Sequence, residues 1–151
     1  MNVITRIGTQ CALACALACT LACAAASVAA SPVRADHPIV GTWRFVLPDG
    51  SCHEIYRMRQ DGTALITSAS EVVETEFDID DQPDENGFYK ALDKIIKDNG
   101  KHDCTGQVSE VGHSVSSFIL FHPSGNMFLM CLQRSMEACL GPFIREKGRE
   151  T

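Results

Sequence analysis

The stretch Val-Glu-Thr-Glu-Phe-Asp-Ile-Asp at residues 73–80 has the clearest two-residue period in the chain. Successive side chains of an extended strand point to opposite faces of a sheet, so this alternation predicts a strand with one buried and one solvated face. The sequence therefore predicts a sheet that covers a core. The buried face would consist of Val73, Thr75, Phe77 and Ile79, and the solvated face of Glu74, Glu76, Asp78 and Asp80.

The solvated face of this strand lies in the most acidic part of the chain, and we call those four residues the acidic face. No Lys or Arg lies between Glu71 and Glu85. Because a field of one sign attracts partners of the opposite sign, Glu74, Glu76, Asp78 and Asp80 are candidate contacts for a basic protein. The alternative is a solvated strand face without a partner. The spacing of the carboxylates does not fit a calcium loop, and no metal site is predicted.

Short strands separated by turn sequences surround this segment on both sides. Pro48-Asp49-Gly50 and Gln60-Asp61-Gly62 are typical turns, and Pro123-Ser124-Gly125-Asn126 joins two strongly apolar runs in a predicted hairpin. Pro142, in the last run, indicates an edge strand or a bend. The predicted strands occupy residues 43–47, 52–59, 63–68, 73–79, 115–122, 127–132 and 140–145, with a weak run between Cys104 and Val111.

Residues 88–97 fit two structures. Phe88, Ala91, Leu92, Ile95 and Ile96 would form the apolar stripe of a helix that Gly100 caps. The same residues fit a strand that enters a turn at 99–100, and the neighbouring strands favour this alternative. The fold class predicted is mainly β, an antiparallel meander of eight or nine strands with at most one short helix. Closure into a barrel is expected because it protects the strand edges.

The first 35 residues have the composition of a secretory signal peptide. Arg6 is followed by no charged residue until Arg34, and small residues permit cleavage after Ala30 or Ala35. The alternatives are a retained membrane anchor and a lipoprotein acylated at Cys23. The four cysteines of this segment act as small apolar residues in a helix that is discarded. They are Cys11, Cys15, Cys19 and Cys23.

The mature chain, residues 36–151, is long enough for one domain. Without Arg6 and Arg34 it keeps 11 basic and 19 acidic residues, a net charge of −8 with His neutral. This charge argues against nucleic acid and against an anionic membrane surface as partners. We expect a periplasmic or secreted protein with no membrane span after signal cleavage.

Four cysteines remain in the mature domain: Cys52, Cys104, Cys131 and Cys139. An even number in a short exported domain predicts a disulfide framework with three possible connectivities. Only seven residues separate Cys131 from Cys139, so they fit the two sides of a hairpin tip. This favours Cys131–Cys139 together with Cys52–Cys104. The alternative is a zinc site involving His53 and His102, although neither Cys/His pair has a familiar finger spacing.

The triplet Gly41-Thr42-Trp43 resembles the Gly-x-Trp opening of the lipocalins, a calycin-type family of eight-stranded barrels. In that family the Trp plugs one end of the barrel, and an Arg near the last strand packs over it. The resemblance implies that Trp43 and Arg145 close a lipocalin-like barrel through a cation–π contact.

The chain contains no Gly-x-Ser-x-Gly elbow, His-Glu-x-x-His helix, P-loop or Rossmann glycine pattern, and we expect neither an enzyme nor a bound cofactor. The leading hypothesis is a non-catalytic exported binding module that holds a small apolar ligand or presents a surface to a protein. The alternative is a periplasmic inhibitor or immunity-type protein that blocks a basic hydrolase or toxin through the acidic face. The third hypothesis is an enzyme whose site brings histidines together with Ser116, Ser124 or Glu54. The candidate histidines are His37, His53, His102, His113 and His122.

Overall fold

The structure, a computed structural model, describes residues 30–147. The predicted signal segment is thus described only from Ala30 onward. Its four cysteines, including the candidate acylation site Cys23, lie outside the described residues.

Eight antiparallel strands form a closed barrel, in which each strand pairs with the next and the last pairs with the first. The predicted fold class is confirmed. Only one 3-10 turn, at Met136–Ala138, adds helical structure among residues 30–147. The strands are β1 (Gly41–Val46), β2 (His53–Met58), β3 (Thr63–Ser68), β4 (Glu71–Ile79), β5 (Phe88–Asp98), β6 (Ser114–Phe121), β7 (Met127–Cys131) and β8 (Cys139–Arg145).

The alternating stretch at residues 73–80 forms most of β4. Its odd-numbered side chains from Glu71 to Ile79 are buried in the barrel, and its even-numbered side chains are partly or fully exposed. The predicted strand and its two faces are confirmed.

Residues 88–98 form β5, so the helix considered for residues 88–97 is wrong. This strand pairs along its length with β4 on one side and β6 on the other, and these two ladders decide the structure where the local pattern does not. The weak run before Val111 is not a strand either. It belongs to a loop at 99–113, and the barrel has eight strands rather than nine.

The strand that contains Pro142 is not an edge strand, because β8 pairs with β7 and, at Ile144 and Arg145, with β1. Phe143 faces Phe128 and Leu140 faces Met130, so two residues of β8 lie opposite Leu129 alone. This irregularity contains Pro142. The predicted edge strand is wrong, whereas the alternative, a bend, agrees with this bulge, since a bulge bends its strand and leaves a residue without ladder partners.

Buried aromatic rings fill one end of the barrel, which we call the closed end. Phe128 stacks on Phe143 with 4.6 Å between ring centroids, and Trp43 meets the edge of Phe128 at 4.7 Å. We call the opposite end, where β2 and β4 begin, the mouth.

The chain before β1 also packs on the barrel. The amide of Val33 donates a 2.9 Å hydrogen bond to the carbonyl of Gln60, and its side chain packs against the core. Arg34 forms an ion pair with Asp81. Residues 33 and 34 are therefore part of the folded domain.

Candidate ligand-binding cavity

Trp43 and Arg145 lie at the closed end in direct contact. The Arg145 guanidinium carbon is 4.1 Å from the centroid of the fully buried Trp43 ring. Arg145 also donates hydrogen bonds to the carbonyls of Val40 at 2.9 Å and Pro38 at 2.6 Å. The indole N–H of Trp43 donates to the Ile39 carbonyl at 2.8 Å. This geometry matches what the Gly-x-Trp resemblance implies for the two residues.

The contact between Trp43 and Arg145 also requires a glycine at position 41. Its φ of +140° is unfavourable for other residues, and a Cβ at this position would overlap Nη1 of Arg145. The glycine of the triplet therefore leaves room for the guanidinium that covers the Trp.

His37 is buried at the closed end as a neutral ring. Its Nδ1 accepts a hydrogen bond from the Ile39 amide at 3.1 Å, so the proton on Nε2 donates to the carbonyl of Asp80 at 3.1 Å. Burial lowers the pKa of His37 below its ordinary value. His122 lies exposed in the hairpin turn, where its Nδ1 contacts Ser124 Oγ at 2.9 Å, and only His113 lines the barrel interior.

A cavity of about 280 Å³ occupies the barrel interior between the closed end and the mouth. Its wall is mainly apolar toward the closed end and polar toward the mouth. The apolar part includes Ile39, Met58, Ile66, Val73, Phe77, Ile119 and Met130, and the polar part includes Glu54, Tyr56, Ser68, Glu71, Thr75, Asp93 and Ser117.

The loop at 99–113, which we call the mouth loop, contributes three residues to the cavity wall: Asp103, Ser109 and His113. The Cys52–Cys104 disulfide ties it to the start of β2. The Cys104 amide donates to Ser68 Oγ at 2.9 Å, and the Ser109 amide donates to Glu71 at 2.9 Å. The mouth loop is thus fixed over the polar end of the cavity by one covalent bond and by hydrogen bonds that include these two.

Both predicted disulfides are confirmed. Cys131 and Cys139 are bonded as directly facing residues of β7 and β8, and Cys52 is bonded to Cys104 across 52 positions of sequence. The alternative of zinc ligation by these cysteines is wrong, since all four are cross-linked.

Glu54 holds two hydrogen-bond donors inside the cavity. Tyr56 Oη and Ser68 Oγ each donate to its carboxylate at 2.6 Å. Burial, together with the neighbouring Glu54, raises the pKa of Tyr56 well above its ordinary value, so its hydroxyl stays a donor. The charge of Glu54 is therefore stabilised by the protein itself.

Glu71 is only 4% exposed and accepts the amide of Ser109. Burial raises its pKa, and so does the adjacent carboxylate of Asp98. Oδ2 of Asp98 is buried with no hydrogen-bond partner among the described residues. A proton on Glu71 would satisfy this oxygen, and the two residues then carry one charge between them.

Asp93 is the least compensated carboxyl group in the cavity. Its one side-chain hydrogen bond within residues 30–147 comes from Thr75 Oγ1, which donates to Oδ2 at 3.2 Å. Burial raises the pKa of Asp93 to about 6. Sequence reasoning missed this residue because it lies in the segment with ambiguous periodicity. Its place between Ala91 and Ile95 on the inward face of β5 was the available signal.

Ser117 lies beside Asp93 on the neighbouring strand. Ser117 faces Ala91 across the β5–β6 ladder, two positions from Asp93 on the same inward face. It is 5% exposed and lines the cavity, and no hydrogen bond is made by its hydroxyl within the described part of the chain. A ligand in the cavity would find one carboxylate and one free hydroxyl close together.

The acidic face lies on the outer surface of β4, where lysines of β5 alternate with it. Glu74 forms an ion pair with Lys97 at 2.9 Å, and Glu76 faces Lys94. Asp80 accepts the backbone amide of Lys90 at 3.3 Å. The field of this surface is therefore less one-sided than the sequence of β4 alone indicates. Binding of a basic partner there stays a prediction.

Two further observations concern residues 30–147. No group of three or more His, Cys, Asp or Glu side chains in this range is placed to hold a metal ion. No helix in the same part of the chain is long and apolar enough to cross a lipid bilayer.

The fold and the cavity define a class, a small closed antiparallel barrel with one plugged end and a cavity that reaches a polar mouth. Comparison with protein families, curated proteins and solved structures finds no match for this chain. Membership in the lipocalins therefore stays a prediction from the resemblance.

Proposed function

We propose that this protein is a non-catalytic exported binding protein that holds a small ligand, largely apolar in character, inside its barrel. The observation that carries the proposal is the 280 Å³ cavity, which is lined by six of the eight strands, β2 to β7, and by the mouth loop. Ligand pockets typically combine mostly apolar walls with a few well-placed polar groups, and this cavity has that composition.

The size of the cavity supports a small ligand. It lies near the lower end of the roughly 300–1,000 Å³ found for ligand pockets, and eight-stranded barrels have room for side chains or one small molecule. A long fatty acyl chain would exceed it. The proposal therefore concerns compact molecules rather than lipids.

Export is supported by the two intramolecular disulfides. Such bonds form and persist in oxidising compartments. Together with the signal segment expected at residues 1–35, they favour a periplasmic or secreted location.

The test uses two aromatic probes of compact size, 2-phenylethanol and 2-phenylethylamine, titrated into the protein with NMR detection of backbone amides. We expect saturable shifts at inward-facing positions of β5 and β6 with at least one probe. Ser117→Leu fills the cavity and should weaken binding at least about tenfold, since a ligand and the new side chain compete for one space. Ser116→Leu is the matched control, because Ser116 is exposed on the outside of the same strand.

The outcomes are distinct. Binding that Ser117→Leu abolishes and Ser116→Leu preserves supports the proposal. Failure of both probes to bind at millimolar concentration, or equal binding to the two variants, overturns it.

A further inference from the structure

We propose that the ligand is a small organic amine, bound as its ammonium ion, with the nitrogen at Asp93 and Ser117 and the apolar part directed toward the closed end. This inference rests on the proposed function and specifies the chemical class of the ligand.

The ionisable side chains of the cavity wall are mainly acidic. Four carboxyl groups line it, and among the described residues no Lys or Arg does so. His113 is the single basic side chain in the wall. An anionic ligand would meet repulsion at the polar end, whereas a cation would meet complementary charge. The four carboxyl groups belong to Glu54, Glu71, Asp93 and Asp103.

Two of these four carboxyl groups, those of Glu54 and Asp103, accept hydrogen bonds from several donors, and Glu71 accepts one from a backbone amide. Glu54 accepts from Tyr56 and Ser68, and Glu71 accepts from Ser109 beside Asp98. Asp103 accepts the amides of Thr105 and Gln107, each at 2.8 Å, within the mouth loop. These groups are engaged in holding the barrel and its loop together.

Asp93 differs from them because a single neutral hydroxyl is its only side-chain partner in the described chain. A buried carboxylate with so little compensation is costly unless a positive charge pairs with it. An ammonium ion would supply that charge together with N–H donors, and charge-assisted hydrogen bonds are the strong ones. The site is therefore incomplete without a cation.

Ser117 provides an independent second observation. The residue is 95% buried and lines the cavity on the same inward face as Asp93, and its hydroxyl has no protein partner within residues 30–147. Polar groups in protein interiors are almost always hydrogen-bonded, so a hydroxyl that borders the cavity without a protein partner is available to a ligand atom there. A primary ammonium group has three N–H donors, and Asp93 and Ser117 can accept two of them.

The remainder of the wall determines the rest of the ligand. Apolar side chains surround the space between Asp93 and the aromatic plug, including Val73, Phe77, Ile119 and Met130. A compact aromatic or branched aliphatic group fits this space. Amines of this kind, rather than polyamines or long-chain lipids, are the class indicated.

The experiment measures by calorimetry at pH 7.5 the affinities of three probes of nearly equal size: 2-phenylethylamine, 2-phenylethanol and phenylacetate. We expect the amine to bind at least about tenfold more tightly than the alcohol, and phenylacetate to bind most weakly. Asp93→Asn should remove the preference for the amine while the alcohol still binds. Asp78→Asn, an exposed carboxylate on the outer face of β4, is the matched control and should change nothing.

Ser117→Ala provides a second test that does not alter the charge. This substitution should weaken the binding of 2-phenylethylamine a fewfold and leave the binding of 2-phenylethanol nearly unchanged. Thermal unfolding of each variant shows that it is folded. If amine and alcohol bind equally, or if Asp93→Asn keeps the amine preference, the amine assignment is wrong and the binding function stands. If no probe binds, both proposals are wrong.

Discussion

The guanidinium of Arg145 covers the ring of Trp43, with 4.1 Å between the guanidinium carbon and the ring centroid. The two residues are direct partners in the β1–β8 register, so the contact lies where the barrel closes. Arg145 also binds two carbonyls of the segment that crosses the closed end. One side chain therefore links the last strand, the first strand and the chain that precedes it.

The first prediction concerns this link. Arg145→Ala removes the cation–π contact and leaves the carbonyls of Pro38 and Val40 without their donor, so we expect a loss of about 3 kcal/mol in the free energy of unfolding. Urea denaturation measures it. Arg44→Ala is the control, because Arg44 is exposed on β1 next to Trp43, and its effect should stay below about 0.5 kcal/mol.

Gly41→Ala tests the same link from the other side, because the new Cβ displaces Arg145. Gly41→Ala should lower the free energy of unfolding less in the Arg145→Ala background than in the wild type, since the new Cβ then has no guanidinium to overlap. Fully additive costs in the double variant would contradict the assigned role of Gly41.

The sequence predicts those structural features that depend only on neighbouring residues. The alternation at residues 73–80 and the turn sequences predict strands because period and turn chemistry are properties of neighbouring residues. Residues 88–98 are decided by pairing with two other strands, which no local pattern reports. The cavity site is less local still. Thr75, Asp93 and Ser117 come from three strands, and only the register places them together.

The second prediction concerns the Cys52–Cys104 disulfide, which holds the mouth loop. In the chain-entropy treatment, a closed loop of this length stabilises the fold by about 4 kcal/mol, against about 2.5 kcal/mol for Cys131–Cys139. Paired Cys→Ser replacement at each disulfide, followed by urea denaturation, should show that order. Loss of Cys52–Cys104 should also speed ligand release, since the mouth loop then keeps only its hydrogen bonds. An equal release rate in both variants would contradict a covering role for the loop.

The third prediction concerns pH. The pKa of Asp93 is about 6 in the folded protein and about 4 in the unfolded chain, so the folded state binds the proton more strongly. The stability due to this proton is fully present below pH 4 and is lost as the pH rises through 6. Asp93→Asn should therefore be more stable than wild type by about 1–2 kcal/mol at pH 7.5, and this difference should vanish near pH 4.

Other titrating groups act on both proteins, so the difference between variant and wild type isolates Asp93. For His37 the pH dependence has the opposite sign. Because burial lowers its pKa, the stability that it contributes is present above about pH 6.5 and is lost as the pH falls. A difference that does not change between pH 4 and 7.5 would contradict the buried state of Asp93. The titratable groups that share the cavity are Glu54 and Tyr56 on β2, Glu71 on β4, and Asp103 and His113 in the mouth loop.

The ionisation of Asp93 also governs amine binding. Because only the carboxylate attracts an ammonium ion, the affinity for 2-phenylethylamine should fall about tenfold between pH 7.5 and pH 5, while that for 2-phenylethanol stays level. Calorimetry at the two pH values measures both affinities. A parallel decrease for the two probes would indicate a change of the whole barrel rather than of Asp93.

The fourth prediction concerns the choice between cleavage after Ala30 and after Ala35. Cleavage after Ala35 would remove Val33 and Arg34, and with them the hydrogen bond to Gln60 and the ion pair with Asp81. Cleavage after Ala30 keeps both contacts. We therefore expect the exported protein to begin at Ser31, and N-terminal sequencing together with intact mass would identify this end.

A matched pair of purified proteins tests the physical reason for that choice. The free energy of unfolding should be about 1–2 kcal/mol lower for the chain that starts at Asp36 than for the chain that starts at Ser31, because the shorter chain loses the half-buried Val33 side chain and its backbone hydrogen bond. The exposed Arg34–Asp81 pair contributes little, so Arg34→Ala in the longer chain should have only a minor effect. Equal stabilities of the two chains would mean that residues 31–35 lie on the barrel without stabilising it, and would contradict the preference for cleavage after Ala30.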